Sequence, residues 1–289
     1  MSQTKPEIYF IAVMLCLFSG SYLAAQNAKS PYERLIETQK EYEATMKKGD
    51  SLEVAEMCYI MGKRYIGLKD YTKAQQWFLR ALRIREPLGP SEDIGKIYIQ
   101  MTGFPIYPPQ STAALHYQYV AYLNFRAGKS LRSQMEANKL LSHLHRVTWE
   151  SGRPLPYSTS IGSLDSAVYY AEQSLQAAKI LNNPLDVGGA YAFLSGLWKL
   201  KNNPHKSSEY RQKILEVYTK AKLVNNIMGF YMGAAEDWLK QNKPSLAKPW
   251  LDKASALAGS VSDHTLDEML TKVYGLYYEQ TEQWDKAFR

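Results

Sequence analysis

Five histidines and two cysteines are the side chains in this chain of 289 residues that bind transition metals most readily. His143 and His145 form the closest pair, and they are two residues apart in a stretch that we expect to be helical. A zinc pair on a helix needs a spacing of three or four residues and a third ligand, whereas these two histidines would point in different directions. We therefore predict no metal site and no cofactor.

Ser245 and Lys248 have the serine–lysine spacing of penicillin-binding enzymes. The companion motifs of that chemistry, Ser-Asp-Asn and Lys-Thr-Gly, are absent from the sequence. Gly188 and Gly189 are not followed by the Lys-Ser or Lys-Thr pair that completes a phosphate-binding loop. No group of residues therefore predicts a catalytic site, and we expect a chain that is not an enzyme.

The sequence carries 35 Lys and Arg residues against 28 Asp and Glu residues, which gives a formal net charge of +7. The basic residues are scattered, and the denser groups, such as Lys47–Lys48, fall on expected helical faces or ends. Binding of nucleic acid would need a basic stripe with interleaved aromatic residues. We expect no nucleic-acid binding through this segment.

Residues 1–25 have the organisation of a signal peptide. Lys5 precedes an unbroken apolar run from Ile8 to Phe18, and small residues end at Ala25. The run is too short for a transmembrane helix of about 20 residues. We expect export and cleavage after Ala25. Because Leu23 is not ideal three residues before the cut, an uncleaved anchor is the alternative.

Small and aromatic residues recur at constant offsets along the rest of the chain. Counted from Gly62, the offsets of 3, 12, 16 and 19 fall on Tyr65, Ala74, Phe78 and Ala81. These offsets place the five residues on facing sides of two helices, where small residues permit close packing. The pattern recurs at Ala235, Trp238, Ala247, Leu251 and Ala254, in part at Gly275, Tyr278 and Ala287, and in degenerate form at Gly196, Lys199, Ser208, Gln212 and Leu215.

Capping and turn residues divide residues 26–289 into helix pairs. First helices are expected to begin near Ser51, Ser91, Ser130, Leu185, Asn226 and His264. Second helices are expected to begin near Tyr71, Gln110, Leu164, His205, Pro244 and Gln283, with a loop inserted at about 151–163. The sequence thus predicts an all-α, right-handed superhelix of about six helix pairs with an incomplete last repeat. A further helix, Tyr32 to Lys48, would cap the N-terminal end.

The copies that begin at Gly62 and Ala235 resemble the tetratricopeptide signature, and the resemblance covers nearly all of residues 31–289. The period of about 40 residues is longer than the 34 residues usual in that family. A signal peptide followed by such long repeats is similar to the periplasmic sensor region of histidine kinases and helix-turn-helix regulators of Bacteroidetes. In those proteins a transmembrane helix and an output domain follow the repeats.

The resemblance implies which residues would contact a partner, because the first helix of each tetratricopeptide pair lines the binding groove. Residues three before, one after and four after each small anchor would face that groove. The groove residues selected in this way are Tyr59, Lys63, Phe193, Leu197, Met232, Glu236 and Lys272. Their mixed apolar and charged character fits a peptide or a helix of a protein partner.

The sequence ends two turns into the expected last helix, and we expect that a C-terminal segment is missing. The predicted function is non-catalytic binding of a protein or peptide, as the periplasmic sensory part of a signal-transduction protein. The alternative is a free periplasmic adaptor or assembly factor that bridges envelope proteins. Contact with a membrane is expected only through an uncleaved signal or through the missing C-terminal segment.

Overall fold

The computed structural model describes residues 30–104, 111–156, 158–261 and 264–283. Within these ranges the chain forms twelve α-helices and no strand, with a single isolated β-bridge between Pro154 and Ile161. The all-α class of paired helices that the sequence predicts is confirmed. The expected signal peptide at 1–25 and the expected last helix beyond Gln283 lie outside the described residues.

The chain divides into two compact units, one ending at residue 107 and the other beginning at residue 108. The helices of unit 1 are α1 (Pro31–Lys48), α2 (Ser51–Gly67), α3 (Tyr71–Arg85) and α4 (Glu92–Thr102). Those of unit 2 are α5 (Thr112–Ala127), α6 (Leu131–Ser151), α7 (Leu164–Ile180), α8 (Pro184–Leu200), α9 (Pro204–Lys220), α10 (Val224–Leu239), α11 (Pro244–Ala258) and α12 (His264–Gln280). The described helices begin within two residues of their predicted positions.

The α2–α3 pair of unit 1 is held together by the residues that the repeat pattern identifies. Phe78 is fully buried, and a Cβ at Gly62 would overlap its ring. Glycine is therefore required for the two helices to approach this closely. The helix that was expected to cap the array, α1, packs on this pair through Tyr42, whose ring meets that of Trp77 edge-on at 4.9 Å.

Most of the short turns between helices contain one residue in the left-handed conformation. In unit 2 such residues occur at intervals of 20 positions, at Asn182, Asn202, Lys222 and Asn242. Two of these intervals make 40 residues, which agrees with the repeat length expected from the sequence. Asparagine occupies three of the four positions because it adopts a positive φ more readily than most residues.

In three turns an aromatic anchor accepts a backbone hydrogen bond and also has a lysine over its ring. The backbone N–H after the left-handed residue donates to the carbonyl oxygen of the anchor, as in a Schellman motif. The donor and acceptor residues are Asp70 and Tyr65 (3.0 Å), Asn203 and Trp198 (2.9 Å), and Lys243 and Trp238 (3.0 Å). A lysine ammonium also lies over each ring, at 5.5 Å for Lys73 on Tyr65, 3.9 Å for Lys206 on Trp198 and 5.6 Å for Lys243 on Trp238.

Gly188 and Gly189 are adjacent in α8 but have opposite surroundings, and they provide a matched test of this packing. A Cβ at Gly188 would overlap the ring of Tyr218, whereas the space around Gly189 is open. We expect Gly188→Ala to lower the free energy of unfolding by about 1–3 kcal/mol, because the core becomes overpacked. Gly189→Ala should raise it by about 0.5–1 kcal/mol, because glycine is unfavourable inside a helix. Urea unfolding measures both, and equal effects would contradict the packing.

Candidate functional site

In unit 2 the first helices of successive pairs, α6, α8, α10 and α12, lie side by side. Arg132 of α6 forms an ion pair with Asp186 of α8. Lys199 of α8 approaches Asp237 of α10, with 3.6 Å between Nζ and Oδ1. Helices α10 and α12 pack directly in an apolar cluster that contains Met232. The solvent side of these four helices, here termed the first-helix face, is the candidate binding surface.

Two of the seven selected groove residues, Tyr59 and Lys63, belong to unit 1. The Tyr59 ring is half-buried, with its centroid 5.8 Å from that of Phe78. Lys63 is exposed, and its ammonium lies 5.6 Å from the centre of the Tyr59 ring. Burial raises the pKa of Tyr59, and the nearby Glu56 carboxylate raises it further. The phenol therefore stays protonated at neutral pH and can donate a hydrogen bond.

The other five selected residues lie in unit 2 and differ in exposure. Phe193 and Glu236 are partly accessible, and Lys272 is exposed. Leu197 and Met232 are 0% and 1% exposed, so these two residues cannot contact a partner in this structure. Met232 is covered because α10 packs directly against α12.

Leu197 is buried because the small anchor residue of this degenerate repeat copy lies one position earlier than the sequence pattern indicated. Ser195 is the residue that packs against the second helix: it is 7% exposed, and its Oγ donates to the Ser207 carbonyl oxygen at 3.0 Å. Gly196, which was taken as the anchor, is exposed and has open space at the position of a Cβ. The groove positions of this copy shift accordingly from Phe193, Leu197 and Leu200 to Ala192, Gly196 and Lys199.

The same construction identifies a copy in α6 that the sequence pattern missed. Ser142 is buried, and its Oγ donates to the Ala167 carbonyl oxygen of α7, as Ser195 does to Ser207. The two partners are 25 residues apart in α6–α7 but 12 residues apart in α8–α9. The difference of 13 residues equals the length of the inserted segment 151–163. Because the insertion lengthens the spacing between the two helices, a search at fixed offsets did not detect this copy.

With Ser142 as the anchor, His143 and Arg146 occupy groove positions of α6. The His143 ring stacks on Phe193 of α8 with centroids 6.3 Å apart. Arg146 Nη2 lies 3.2 Å from His143 Nε2, and Gln118 Oε1 lies 2.8 Å from His143 Nδ1. Since a guanidinium can only donate, Nε2 accepts and the ring proton on Nδ1 is donated to Gln118. Burial, aided by the Arg146 charge, lowers the pKa of His143 to about 4.

The exposed side of α8 is nearly free of charged groups. It presents Leu185, Gly189, Ala192, Gly196, Lys199 and Leu200. Leu185 and Leu200 are 49% and 39% exposed. They lie about 22 Å apart along the helix axis, at a rise of 1.5 Å per residue. We call these five apolar residues, without Lys199, the α8 strip.

The lysines around the α8 strip are more exposed than the acidic residues with which they pair. The side chains of Lys139, Lys199 and Lys240 are 64%, 63% and 69% exposed. Their ion-pair partners Glu136, Asp237 and Glu236 are less exposed, at 18%, 37% and 40%. These charged residues form the rim of the α8 strip, and the side chains of the rim that project furthest into solvent are therefore mainly positive.

The residues examined for catalysis have ordinary structural settings. Ser245 is exposed on α11, and Lys248 pairs with Asp252 one turn further along the same helix. Cys58 is buried, and burial raises the pKa of its thiol to about 11, which leaves the thiol protonated and unreactive. The described residues contain no group of three or more His, Cys, Asp or Glu side chains placed to hold a metal ion.

No described helix is both long enough and apolar enough to cross a membrane.

No family model matches the sequence, and no curated protein matches it. The fold is similar to that of aspartyl phosphate phosphatase F from Bacillus subtilis, with a TM-score of 0.57 and 12% identity over 84% of this chain and 61% of that one. It is also similar to a signal transduction ATPase with numerous domains from Pyrococcus horikoshii that has a tetratricopeptide repeat sensor. There the TM-score is 0.50 and the identity 15%, over 93% of this chain and 42% of the other.

The chain therefore spans less than two thirds of the length of either protein. At identities this low the similarity establishes the fold alone, which is a tetratricopeptide-like array of antiparallel helix pairs.

The low pKa of His143 makes the stability of the protein depend on pH. As the pH falls from 6.5, the ordinary histidine pKa, towards 4, the unfolded chain takes up a proton before the folded one does. Stability is therefore full above pH 6.5 and declines down to pH 4, by up to about 3 kcal/mol. We expect His143→Gln to reduce this slope in urea unfolding between pH 4.5 and 7.5. His205→Gln, at an exposed position, is the control. Parallel pH profiles of wild type and His143→Gln would refute the assignment.

Proposed function

We propose that this chain is a non-catalytic scaffold that binds an amphipathic helix of a partner protein on the first-helix face of unit 2. The observation that carries the proposal is the α8 strip, which is exposed and apolar along about 22 Å. Exposed contiguous apolar surfaces with a polar rim are typical of interaction sites. A helix of about four turns would match the strip in length.

The composition of the α8 strip fits a helix that approaches closely. Gly189 and Gly196 have open space around them, so a partner backbone can come near the α8 backbone without steric conflict. Leu185 and Leu200 then provide an apolar contact at each end. Burying a leucine side chain fully stabilises a complex by about 1.5–3 kcal/mol, and these two are already half-buried, so their contribution is smaller.

The rim indicates the charge of the partner. Lys139, Lys199 and Lys240 pair with Glu136, Asp237 and Glu236 in this chain, and each lysine is more exposed than its partner. Their ammonium groups would also face acidic side chains at the borders of the partner's apolar stripe. Such charges contribute mainly to the rate of association and to partner choice. An amphipathic helix flanked by Asp and Glu is thus the occupant that the surface favours.

Photo-crosslinking in the native host tests this proposal. We expect p-benzoylphenylalanine at Gly196 to give an adduct with one partner, whereas the same residue at Ser255, exposed on the second helix α11, gives none. Mass spectrometry should locate the adduct in an amphipathic helical segment with acidic flanks. Ala192→Arg should weaken binding of that segment about tenfold or more, since it places a charged side chain in the strip.

Gln176→Arg, at an exposed position of α7, is the matched control and should leave binding unchanged. Adducts of equal yield at Gly196 and Ser255, or an Ala192→Arg variant that binds like the wild type, would contradict the proposal.

The cellular role that we propose is sensing in the periplasm, as part of a signal-transduction protein. The apolar run Ile8 to Phe18 and the small residues before Gln26 support export. The tetratricopeptide repeats of the Pyrococcus horikoshii relative in fold are described as a sensor. In this role, partner binding on the first-helix face would change the stability or geometry of the helix array.

Cell fractionation tests export directly. We expect the full-length gene product in the periplasmic fraction, with Gln26 as its first residue by mass spectrometry. Deletion of residues 2–25 should retain the protein in the cytoplasm, because the apolar run is required for translocation. A cytoplasmic product that still begins with Met1 would be evidence against the periplasmic role.

A further inference from the structure

Phe193 lies on α8 at the border of the α8 strip. It follows Gly189 by four residues and precedes Gly196 by three, so the three residues share one side of the helix. The Phe193 ring packs against the apolar cluster that contains Leu194 and Leu197. The positions that a Cβ would take at Gly189 and at Gly196 are both open. The ring therefore borders the strip without covering either glycine.

Two side chains of α6 hold the Phe193 ring in this position. The His143 ring stacks on it, with centroids 6.3 Å apart and planes inclined by 26°. The Arg146 guanidinium lies over the same ring, with Cζ 6.0 Å from the ring centroid. A cation at about 6 Å is attracted to the face of an aromatic ring. Both contacts hold the ring towards α6 and away from the strip.

His143 and Arg146 are themselves fixed by hydrogen bonds, so they can support the ring. His143 Nδ1 lies 2.8 Å from Oε1 of Gln118, which is buried on α5. Arg146 Nη2 donates to His143 Nε2 at 3.2 Å, and Arg146 Nη1 donates to Glu150 at 2.7 Å. The position of the Phe193 ring is therefore set by contacts that extend through α6 to α5.

Without this support the Phe193 ring would cover part of the α8 strip. Long side chains on a helix point towards its N-terminus and over the residues three and four positions earlier. Gly189 is four positions earlier and has no side chain to oppose the ring. Moving there would also remove apolar ring surface from water, which is favourable. The ring would then occupy the space through which a partner backbone reaches Gly189.

We propose that His143 and Arg146 are positioning residues that keep the Phe193 ring off the α8 strip and thereby leave the strip open to a partner helix. The inference rests on the proposed function of the strip. Helix α6 then contributes to partner binding through α8, and the Phe193 ring competes with the partner whenever its support is lost.

Thiol labelling of a Gly189→Cys chain measures whether the ring covers this position. All chains carry Cys16→Ser, and Cys58 is buried, so a maleimide reports the introduced thiol. We expect His143→Asn to slow the labelling about threefold or more, because asparagine can still hydrogen-bond to Gln118 but has no ring to stack. His143→Phe keeps a ring and loses both hydrogen bonds, and its labelling rate should stay within about twofold of that of the parent chain.

Two further chains show whether Phe193 is the cause. Adding Phe193→Ala to His143→Asn should restore the parent labelling rate at Gly189→Cys, because the two substitutions act on one contact. In a Gly196→Cys chain, His143→Asn should leave the labelling rate unchanged, because this position is on the C-terminal side of the ring.

The proposal is overturned if His143→Asn slows labelling at neither cysteine, slows it equally at both, or slows it in a way that Phe193→Ala does not reverse. If His143→Phe fails to fold, the comparison of His143→Asn with and without Phe193→Ala still decides.

Photo-crosslinking in the native host separates this inference from the proposed function. With p-benzoylphenylalanine at Gly196, His143→Asn should lower the adduct yield about threefold or more, and adding Phe193→Ala should remove that loss. Absence of an adduct with the parent chain would refute the proposed function, whatever the labelling rates. An adduct yield that His143→Asn leaves unchanged, although it slows labelling, would refute the competition between Phe193 and the partner.

Discussion

The structure depends on one constraint: no helix pair in the array can bury its apolar side alone, so each must stay in register with its neighbours. The uniform turns satisfy this constraint. Left-handed residues recur every 20 positions from Asn182 to Asn242, so the helices between them, α8, α9 and α10, have similar lengths of 17, 17 and 16 residues. The carbonyl oxygen of an aromatic anchor such as Trp198 or Trp238 fixes the turn through the backbone, while its ring fills the space between the two helices.

The sequence was sufficient to predict the helices because steric requirements left few choices of residue. Gly62 is opposite the Phe78 ring, and Ala235 is fully buried between helices, so both positions demand a small side chain. Serine meets the same requirement at Ser142 and Ser195 by donating its hydroxyl to a carbonyl oxygen of the facing helix. The sequence pattern selected Gly196 instead of Ser195, and the error of one residue changed which side chains were assigned to the groove.

The candidate surface was harder to predict, because the exposure of a groove position depends on how far apart the first helices of neighbouring pairs lie. Helices α10 and α12 pack directly, and Met232 between them is buried in the core, where it cannot contact a partner. Helices α6 and α8 meet through long side chains, as in the ion pair of Arg132 with Asp186 and the stacking of His143 on Phe193. Ala192 of α8, which lies three residues before its anchor as Met232 does in α10, stays exposed. The distance between helices is set by residues on several elements and is not encoded within one repeat.

Helix α8 carries apolar residues on every side, a pattern that normally marks a fully buried helix. Its inner side is buried against α7 and α9, but the α8 strip remains in solvent. Stability of the unit gives no reason for Leu185, Ala192 and Leu200 to be apolar, since polar residues at these exposed positions would preserve the fold. Surrounding lysines keep such a surface soluble and at the same time discourage self-association through like charges. An apolar strip bordered by exposed cations is therefore better explained as a surface that a partner of opposite charge covers than as part of the architecture of the array.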